Sequence, residues 1–226
     1  MSDFTLPANR LVLQLNNNKN KHMKNLIKIK WGIPLFLTLI FFSACNLELQ
    51  KEYDFDENAR INEPSAPFDM TIWEFMNEQS DFDLMVQAVQ LAGLENIFNE
   101  GEDDKTVLLL RQKAMQQFLN DQDATSLSEI PVQTLQNFLF YHVITTRFKQ
   151  HDLNSQEDVQ FHSLLEGPNG RINIWKWRRY EEIQINRNGS PDKPSTAKSA
   201  SVFLHNYEFT NGVGHQMEKY VQWAPF

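Results

Sequence analysis

Six histidines are the first residues in this chain that could do chemistry. His205 and His215 lie ten positions apart on what we expect to be neighbouring strands, so their rings could meet in space. A zinc site needs three or four ligands at recognisable spacings, and the sequence contains neither an HExxH nor a CxxC motif. We therefore expect no metal and no cofactor, and we assign both histidines to packing.

Nucleophilic and acid–base catalysis find equally little support in the sequence. The chain has a single cysteine, Cys45, and no G-x-S-x-G elbow, phosphate-binding glycine loop or dinucleotide motif. Glu181 and Glu182 are adjacent, so on a strand their carboxylates point to opposite faces and not across a cleft. The sequence predicts a protein that is not an enzyme. A hydrolase built from scattered Asp and Glu residues is the alternative.

Cys45 closes a three-part segment that is typical of exported proteins. The basic stretch KHMKNLIKIK precedes the apolar residues 31–44, which are fewer than the roughly 20 of a membrane-spanning helix. FFSAC resembles the cleavage site of bacterial lipoproteins, in which the cysteine becomes the lipidated N-terminus. We predict a signal peptide in residues 1–44, translation from Met23, lipid attachment at Cys45 and location in a bacterial outer membrane. An uncleaved anchor or a buried apolar helix is the alternative.

The chain is basic before this cysteine and acidic after it. Six of the 21 Lys and Arg residues precede it together with one of the 29 acids, which leaves 15 basic and 28 acidic residues, a formal charge of −13. A surface this acidic repels phosphate backbones, so we expect no nucleic-acid partner. Residues 45–68 are acidic, carry Pro64 and Pro67 and lack an apolar period, which predicts a tether between the lipid and a domain.

The domain that we expect over residues 69–226 begins with helices and continues with strands. Helical spacing in MTIWEFMNEQ and SDFDLMVQAVQLAG predicts two helices, the second with a capping box at Ser80 and a C-terminal cap at Gly93. TVLLL predicts a buried strand, and Pro131 opens an amphipathic helix. Later alternating segments between glycine-containing turns predict antiparallel strands. Helices first and strands afterwards indicate an α+β fold.

An aromatic strand is the best candidate for ligand binding. In RINIWKWRRY the period of two places Ile172 and Ile174 on one face and Trp175, Trp177 and Arg179 on the other. Such a row can stack on sugar rings or anchor a protein partner. Because large aromatic residues are mostly buried, we favour packing of both tryptophans into the core over ligand binding.

Three motifs, in order, resemble those of the fasciclin domain family. TVLLLRQKAMQQF is similar to the family's first motif, and NFLFYHVITTRF carries its central pair at Tyr141 and His142. NGVGHQMEKYV resembles its closing motif, with Asn211, Gly212 and His215 at matching positions. The resemblance covers residues 69–222, the whole expected domain.

The chain also departs from the family pattern. Residues 109–112 read Leu-Leu-Arg-Gln where the family has Ala-Pro-Thr-Asn, and Asn206 and Glu218 stand where it has aspartates. Gly214 replaces an isoleucine or valine before the histidine. These differences identify a divergent member, and no binding residue is carried over from the first motif.

The resemblance implies a wedge of two antiparallel β-sheets with helices packed on one side. It also implies a non-enzymatic role in adhesion or binding, with receptor contacts at Tyr141 and His142 by analogy with animal members. The position of this pair at the end of an apolar helix favours inward packing instead, with the polar tips hydrogen-bonded. His215 follows the turn at Asn211 and Gly212, so we expect it to fix the register of the last strand.

Together these features predict a lipid-anchored envelope protein that binds an extracellular partner without turnover. A polysaccharide or an envelope protein is the expected partner, and the lipid supplies the membrane contact. A structural subunit of an outer-membrane glycan-uptake or envelope protein complex is the alternative.

Overall fold

Helices come first along the chain and most strands follow. The computed structural model describes residues 64, 66–101 and 104–226, and within them it contains five α-helices and eight strands. The helices are α1 (Ile72–Glu78), α2 (Asp83–Ala92), α3 (Glu95–Asn99), α4 (Gln112–Asp121) and α5 (Val132–Tyr141). The strands are β1 (Thr106–Leu110), β2 (Val143–Ile144), β3 (Asp158–His162), β4 (Arg171–Lys176), β5 (Ile183–Ile185), β6 (Ala200–Ser201), β7 (Leu204–Phe209) and β8 (Gly212–Met217). The predicted α+β class, helix-rich before strand-rich, is confirmed.

Local sequence explains where the helices begin and end. The Thr71 hydroxyl accepts from the Glu74 N–H, and the Glu74 carboxylate accepts from the Thr71 N–H at 2.7 Å, which completes a capping box before α1. The capping box predicted at Ser80 is wrong, because residues 80–82 form a 3₁₀ turn that leads into α2 without a side-chain cap. Gly93 ends α2 in the left-handed conformation at φ 66°, as predicted.

The first sheet has the strand order β2-β1-β8-β7. β1 pairs antiparallel with β2 but parallel with β8, where Leu108 lies opposite His215. The prediction of purely antiparallel sheets is therefore wrong for this pair. About 100 residues separate β1 from β8, so no hairpin imposes an antiparallel approach. β1 is buried along its whole length, as strands in parallel pairs usually are.

The second sheet has the order β3-β4-β5-β6, and each of its pairs is antiparallel. Ile174 lies opposite Ile185 and both are buried, so this face of the sheet packs on the core. On the other face one row of paired residues crosses all four strands. Its members are Asp158, Trp175, Gln184 and Ser201. The sheet therefore presents these four side chains together.

Aromatic packing ties the start of the domain to the first sheet. The Phe68 N–H donates to the Glu208 carbonyl at 2.8 Å, and the Phe68 ring stacks on Tyr207 and Phe209. Phe68 therefore belongs to the folded domain, although the sequence placed it in the tether.

Several predictions concern the N-terminal region. The signal peptide, the start at Met23, the lipid site Cys45 and residues 46–63 of the tether lie outside the described residues. Within the described part of the chain, no helix combines the length and apolar character needed to cross a bilayer.

Candidate functional site

An open groove lies over the outer face of the second sheet, beside strand β6. Its volume is about 580 Å³. It is lined in part by Trp175, Gln184, Arg187, Ser201, Phe203 and Lys219. The side chains of Gln184 and Ser201 take no part in the hydrogen bonds found among the described residues. The groove therefore combines an aromatic surface with polar groups that can serve a ligand.

Trp175 is held by an arginine on one side of its ring. The guanidinium carbon of Arg187 lies 4.6 Å from the indole centroid, and the same guanidinium forms an ion pair with Asp158. Asp158 is the residue opposite Trp175 in the β3–β4 pair. Because a cation–π contact and an ion pair hold these side chains together, the indole is oriented before a ligand arrives. Trp175 is only partly buried, so part of its surface stays accessible.

Trp177 and Arg179 do not join the groove. β4 ends at Lys176, and beyond it Trp177, Arg179 and Tyr180 form a separate exposed cluster, which we call the aromatic turn. The rings of Trp177 and Tyr180 meet edge to face at 4.9 Å, and the Arg179 guanidinium lies 5.1 Å from the Tyr180 centroid. The interpretation that both tryptophans pack into the core is wrong, since Trp177 is 36% exposed and Trp175 is partly exposed.

Tyr141 is fully buried at the end of α5. Its hydroxyl donates to the Arg171 carbonyl at 3.0 Å and accepts from the Asn186 side chain at 2.8 Å. Burial raises the pKa of Tyr141, so the hydroxyl stays protonated. The residue joins α5 to the second sheet and presents no surface to a ligand.

His142 is buried next to Tyr141 and is hydrogen-bonded through both ring nitrogens. Nδ1 donates its proton to the Phe138 carbonyl at 2.7 Å, and Nε2 accepts from the Val221 N–H at 3.2 Å. Burial lowers the pKa of His142 to about 4, and a second proton would set Nε2 against the Val221 N–H. His142 is a neutral link between α5 and the segment after β8.

His215 makes a comparable link inside the first sheet. It is fully buried on β8, and its Nδ1 accepts from the Asn206 N–H of β7 at 3.2 Å. Asn206 has a φ of 59° and sits where the register shifts between Leu204 and Tyr207. Burial, and then the neighbouring His205, lower the pKa of His215 to about 3. A neutral His215 therefore holds the bulge in β7, which is a role in strand register.

The ring centroids of His205 and His215 lie 6.0 Å apart, so the two residues do meet in space. Among residues 64, 66–101 and 104–226, no group of three or more His, Cys, Asp or Glu side chains is arranged to hold a metal ion. The pair is a feature of the packed first sheet.

Asn211 holds two helices against the last hairpin. Its Oδ1 accepts from the Ile72 N–H at 3.0 Å, and its Nδ2 donates to the Phe98 carbonyl at 2.8 Å. The two-residue loop of the hairpin is 210–211, and Gly212 opens β8, so the turn lies one residue earlier than the sequence indicated. Asn211 thus satisfies main-chain groups at the start of α1 and near the end of α3.

Trp175 is the groove residue that the sequence pattern identified, whereas the other lining residues, Gln184, Arg187 and Lys219 among them, were missed. Gln184 could have been found, because its alternation with Ile183 and Ile185 sets it on the outer face of its strand. Arg187 and Lys219 carry no such signal. Arg187 lies in the loop after β5, and Lys219 follows a strand of the other sheet.

Comparison with known proteins defines the family. A family model for the fasciclin domain matches residues 80–222, more than half of the chain, and the chain therefore belongs to the fasciclin domain family. Domains of this family are generally found in adhesion or binding proteins and are typically non-enzymatic.

Among solved structures, the chain is similar to a FAS1 domain pair from the insect cell adhesion molecule fasciclin I. The TM-score is 0.52 and the sequence identity 14%, over 68% of this chain and 51% of that chain. This chain spans about half the length of that domain pair, and at this identity the likeness shows the fold alone. No curated protein matches the sequence.

The departures from the family pattern have local physical reasons. A Cβ on Gly214 would lie 2.6 Å from the Leu109 Cδ1 and 2.9 Å from the Phe209 ring, so these two side chains occupy the space that a larger residue would need. The Asn206 Oδ1 accepts from the Gln150 N–H at 2.7 Å, a bond that an amide oxygen can make as a carboxylate would.

Proposed function

We propose that this protein is a lipid-anchored envelope protein whose fasciclin domain binds polysaccharide in the groove beside Trp175, without turnover. The observation that carries the proposal is a partly exposed indole that contacts Arg187 and lies next to Gln184 and Ser201, whose side chains form no hydrogen bond within the described part of the chain. A sugar ring offers C–H groups to an aromatic face and hydroxyls to amide and hydroxyl side chains. The groove supplies both kinds of contact.

Calorimetric titration with a panel of neutral and acidic oligosaccharides tests the binding proposal. We expect residues 46–226 to give saturable binding that Trp175→Ala weakens at least about tenfold, or about 1.4 kcal/mol. Trp177→Ala is the matched control, because it removes an indole two residues away and outside the groove. A folded chain that binds no saccharide, or a Trp175→Ala variant that binds normally, would reject the proposal.

The anchor rests on the sequence pattern that ends at Cys45. In a Gram-negative host we expect the protein in the membrane fraction, with Cys45 as its N-terminal residue and a mass increased by the lipid. Cys45→Ser should release it from that fraction. Unchanged membrane retention of Cys45→Ser would argue for an uncleaved anchor instead.

A second candidate function is that of a structural subunit in an outer-membrane glycan-uptake or envelope protein complex. The aromatic turn favours it, because Trp177 is 36% and Tyr180 is 59% exposed, and such residues often anchor protein interfaces. In cross-linking of whole envelopes, this function predicts a specific protein adduct that Trp177→Ala abolishes and Trp175→Ala preserves. The opposite pattern would tie the adduct to the groove.

A further inference from the structure

The charges around the groove differ from those of the chain as a whole. The residues after Cys45 carry a formal charge of −13. The lining of the groove includes two cations, Arg187 and Lys219, and one acid, Glu218. The lining therefore has an excess of one positive charge within an acidic domain.

The carboxylates at the groove already have cationic partners. Glu218 lies 3.0 Å from the Lys113 ammonium and 3.7 Å from the Arg111 guanidinium, while Asp158 pairs with Arg187. These ion pairs offset the negative charge that would otherwise repel an anion.

Lys219 is the cation at the groove that has no ion-pair partner in the described part of the chain, and it is exposed. An anionic ligand would meet this ammonium directly. The Arg187 guanidinium would add to the attraction, although Asp158 offsets part of its charge.

We infer that the ligand of the groove is an acidic polysaccharide, one whose sugar rings carry carboxylates. The inference rests on the proposed function, since it names the class of saccharide that the same groove binds. Trp175 stacks on a sugar ring, Gln184 and Ser201 bond its hydroxyls, and Lys219 pairs with a ring carboxylate. The denser charge of a nucleic acid would be repelled by the acidic surface of the rest of the domain.

Oligogalacturonides and their methyl esters provide a matched pair of probes, because esterification removes the charge and keeps the backbone. With the full chain in detergent micelles, calorimetry should show about fivefold tighter binding of the acid form, the size of effect that one partly exposed charge pair gives. Lys219→Gln should remove this preference, so that the acid and ester forms bind with equal affinity. Arg178→Gln, which neutralises an exposed cation outside the groove, should retain it.

Equal affinity for the two forms would overturn the inference and leave the proposed function standing. A preference that survives Lys219→Gln would overturn it as well, because the charge would then act elsewhere. If neither form nor any other saccharide binds, the proposed function itself fails.

Discussion

Two regions of this domain differ in what their aromatic and polar side chains contact. In the first, His142 and His215 are fully buried, and each accepts a main-chain N–H through a ring nitrogen. In the second, Trp175 lines an open groove beside Gln184, whose amide forms none of the side-chain hydrogen bonds found among the described residues. The first region has no exposed surface, whereas the second is open to solvent.

The two regions differ in whether their polar groups have hydrogen-bond partners within the described part of the protein. A buried polar group that has its partners contributes to folding, because removing it leaves another buried group unsatisfied. A polar group that lies at a groove and has no protein partner is hydrogen-bonded to water. A ligand group that replaces this water costs little free energy. His142 and His215 each satisfy a main-chain N–H inside the fold, while Nε2 of His215 has no hydrogen-bond partner among the described residues. The groove is the part of this domain for which we propose recognition.

Acid should destabilise the buried region most. The pKa is about 4 for His142 and about 3 for His215 in the folded chain, against about 6.5 when unfolded. Below pH 6.5 the unfolded chain therefore binds protons that the folded chain does not, and stability falls as the pH drops toward 4. At about 1.4 kcal/mol per pH unit for each group, the loss between pH 7 and pH 5 is on the order of 4 kcal/mol.

Urea denaturation at the two pH values measures this loss. His162→Gln, at an exposed position, should leave the pH dependence unchanged. Equal free energies of unfolding at pH 7 and pH 5 would contradict the assignment of both histidines as buried and neutral.

His215→Ala tests the same region at constant pH. The change removes the acceptor of the Asn206 N–H and leaves a cavity beside the Phe148 ring, whose centroid lies 5.1 Å from that of His215. We expect a loss of about 2–4 kcal/mol in the free energy of unfolding at pH 7. His162→Ala should change it by less than about 0.5 kcal/mol. A stable His215→Ala variant that has lost saccharide binding would place His215 in the binding region.

Trp175→Ala should have the reverse signature. We expect saccharide affinity to fall at least about tenfold, while the free energy of unfolding drops by only about 1 kcal/mol through loss of the contact with Arg187. Calorimetry and urea denaturation on the same preparation separate the two effects. A variant that unfolds outright would show Trp175 to be a core residue.

Trp177→Ala should have a smaller effect than acid, His215→Ala or Trp175→Ala. Because this indole is 36% exposed and lies outside the groove, we expect saccharide affinity and the free energy of unfolding each to change by less than about 0.5 kcal/mol. The same calorimetric titration and urea series measure both. An affinity loss equal to that of Trp175→Ala would extend the binding region along β4 into the aromatic turn.

Local periodicity was enough to predict much of the fold. Ile72, Phe75 and Met76 share the buried face of α1, and TVLLL is a strand buried along its length, as their spacing indicated. These features depend on residues a few positions apart. The parallel pairing of β1 with β8 depends on strands about 100 residues apart, and no local pattern encodes it.

The candidate site likewise has features that local sequence predicts and features that depend on tertiary packing. Strand alternation placed Trp175 on the face opposite Ile172 and Ile174, but the usual burial of large aromatic residues favoured the core for that face. The end of β4 at Lys176 put Trp177 and Arg179 into a turn. Lys219 reaches the groove because the segment after β8 passes the second sheet, which is a matter of tertiary packing. Sequence could identify the aromatic residue, and only the folded chain shows the charges beside it.

The most direct test of the groove is to follow the indole N–H signals of residues 46–226 by ¹H–¹⁵N NMR during titration with an oligogalacturonide. Four tryptophans follow Cys45, and substituting each in turn assigns its signal. We predict a saturable shift of the Trp175 signal, with the signals of Trp177 and the buried Trp223 unchanged. A shift confined to Trp177, with Trp175 unmoved, would contradict the assignment of the groove as the binding site.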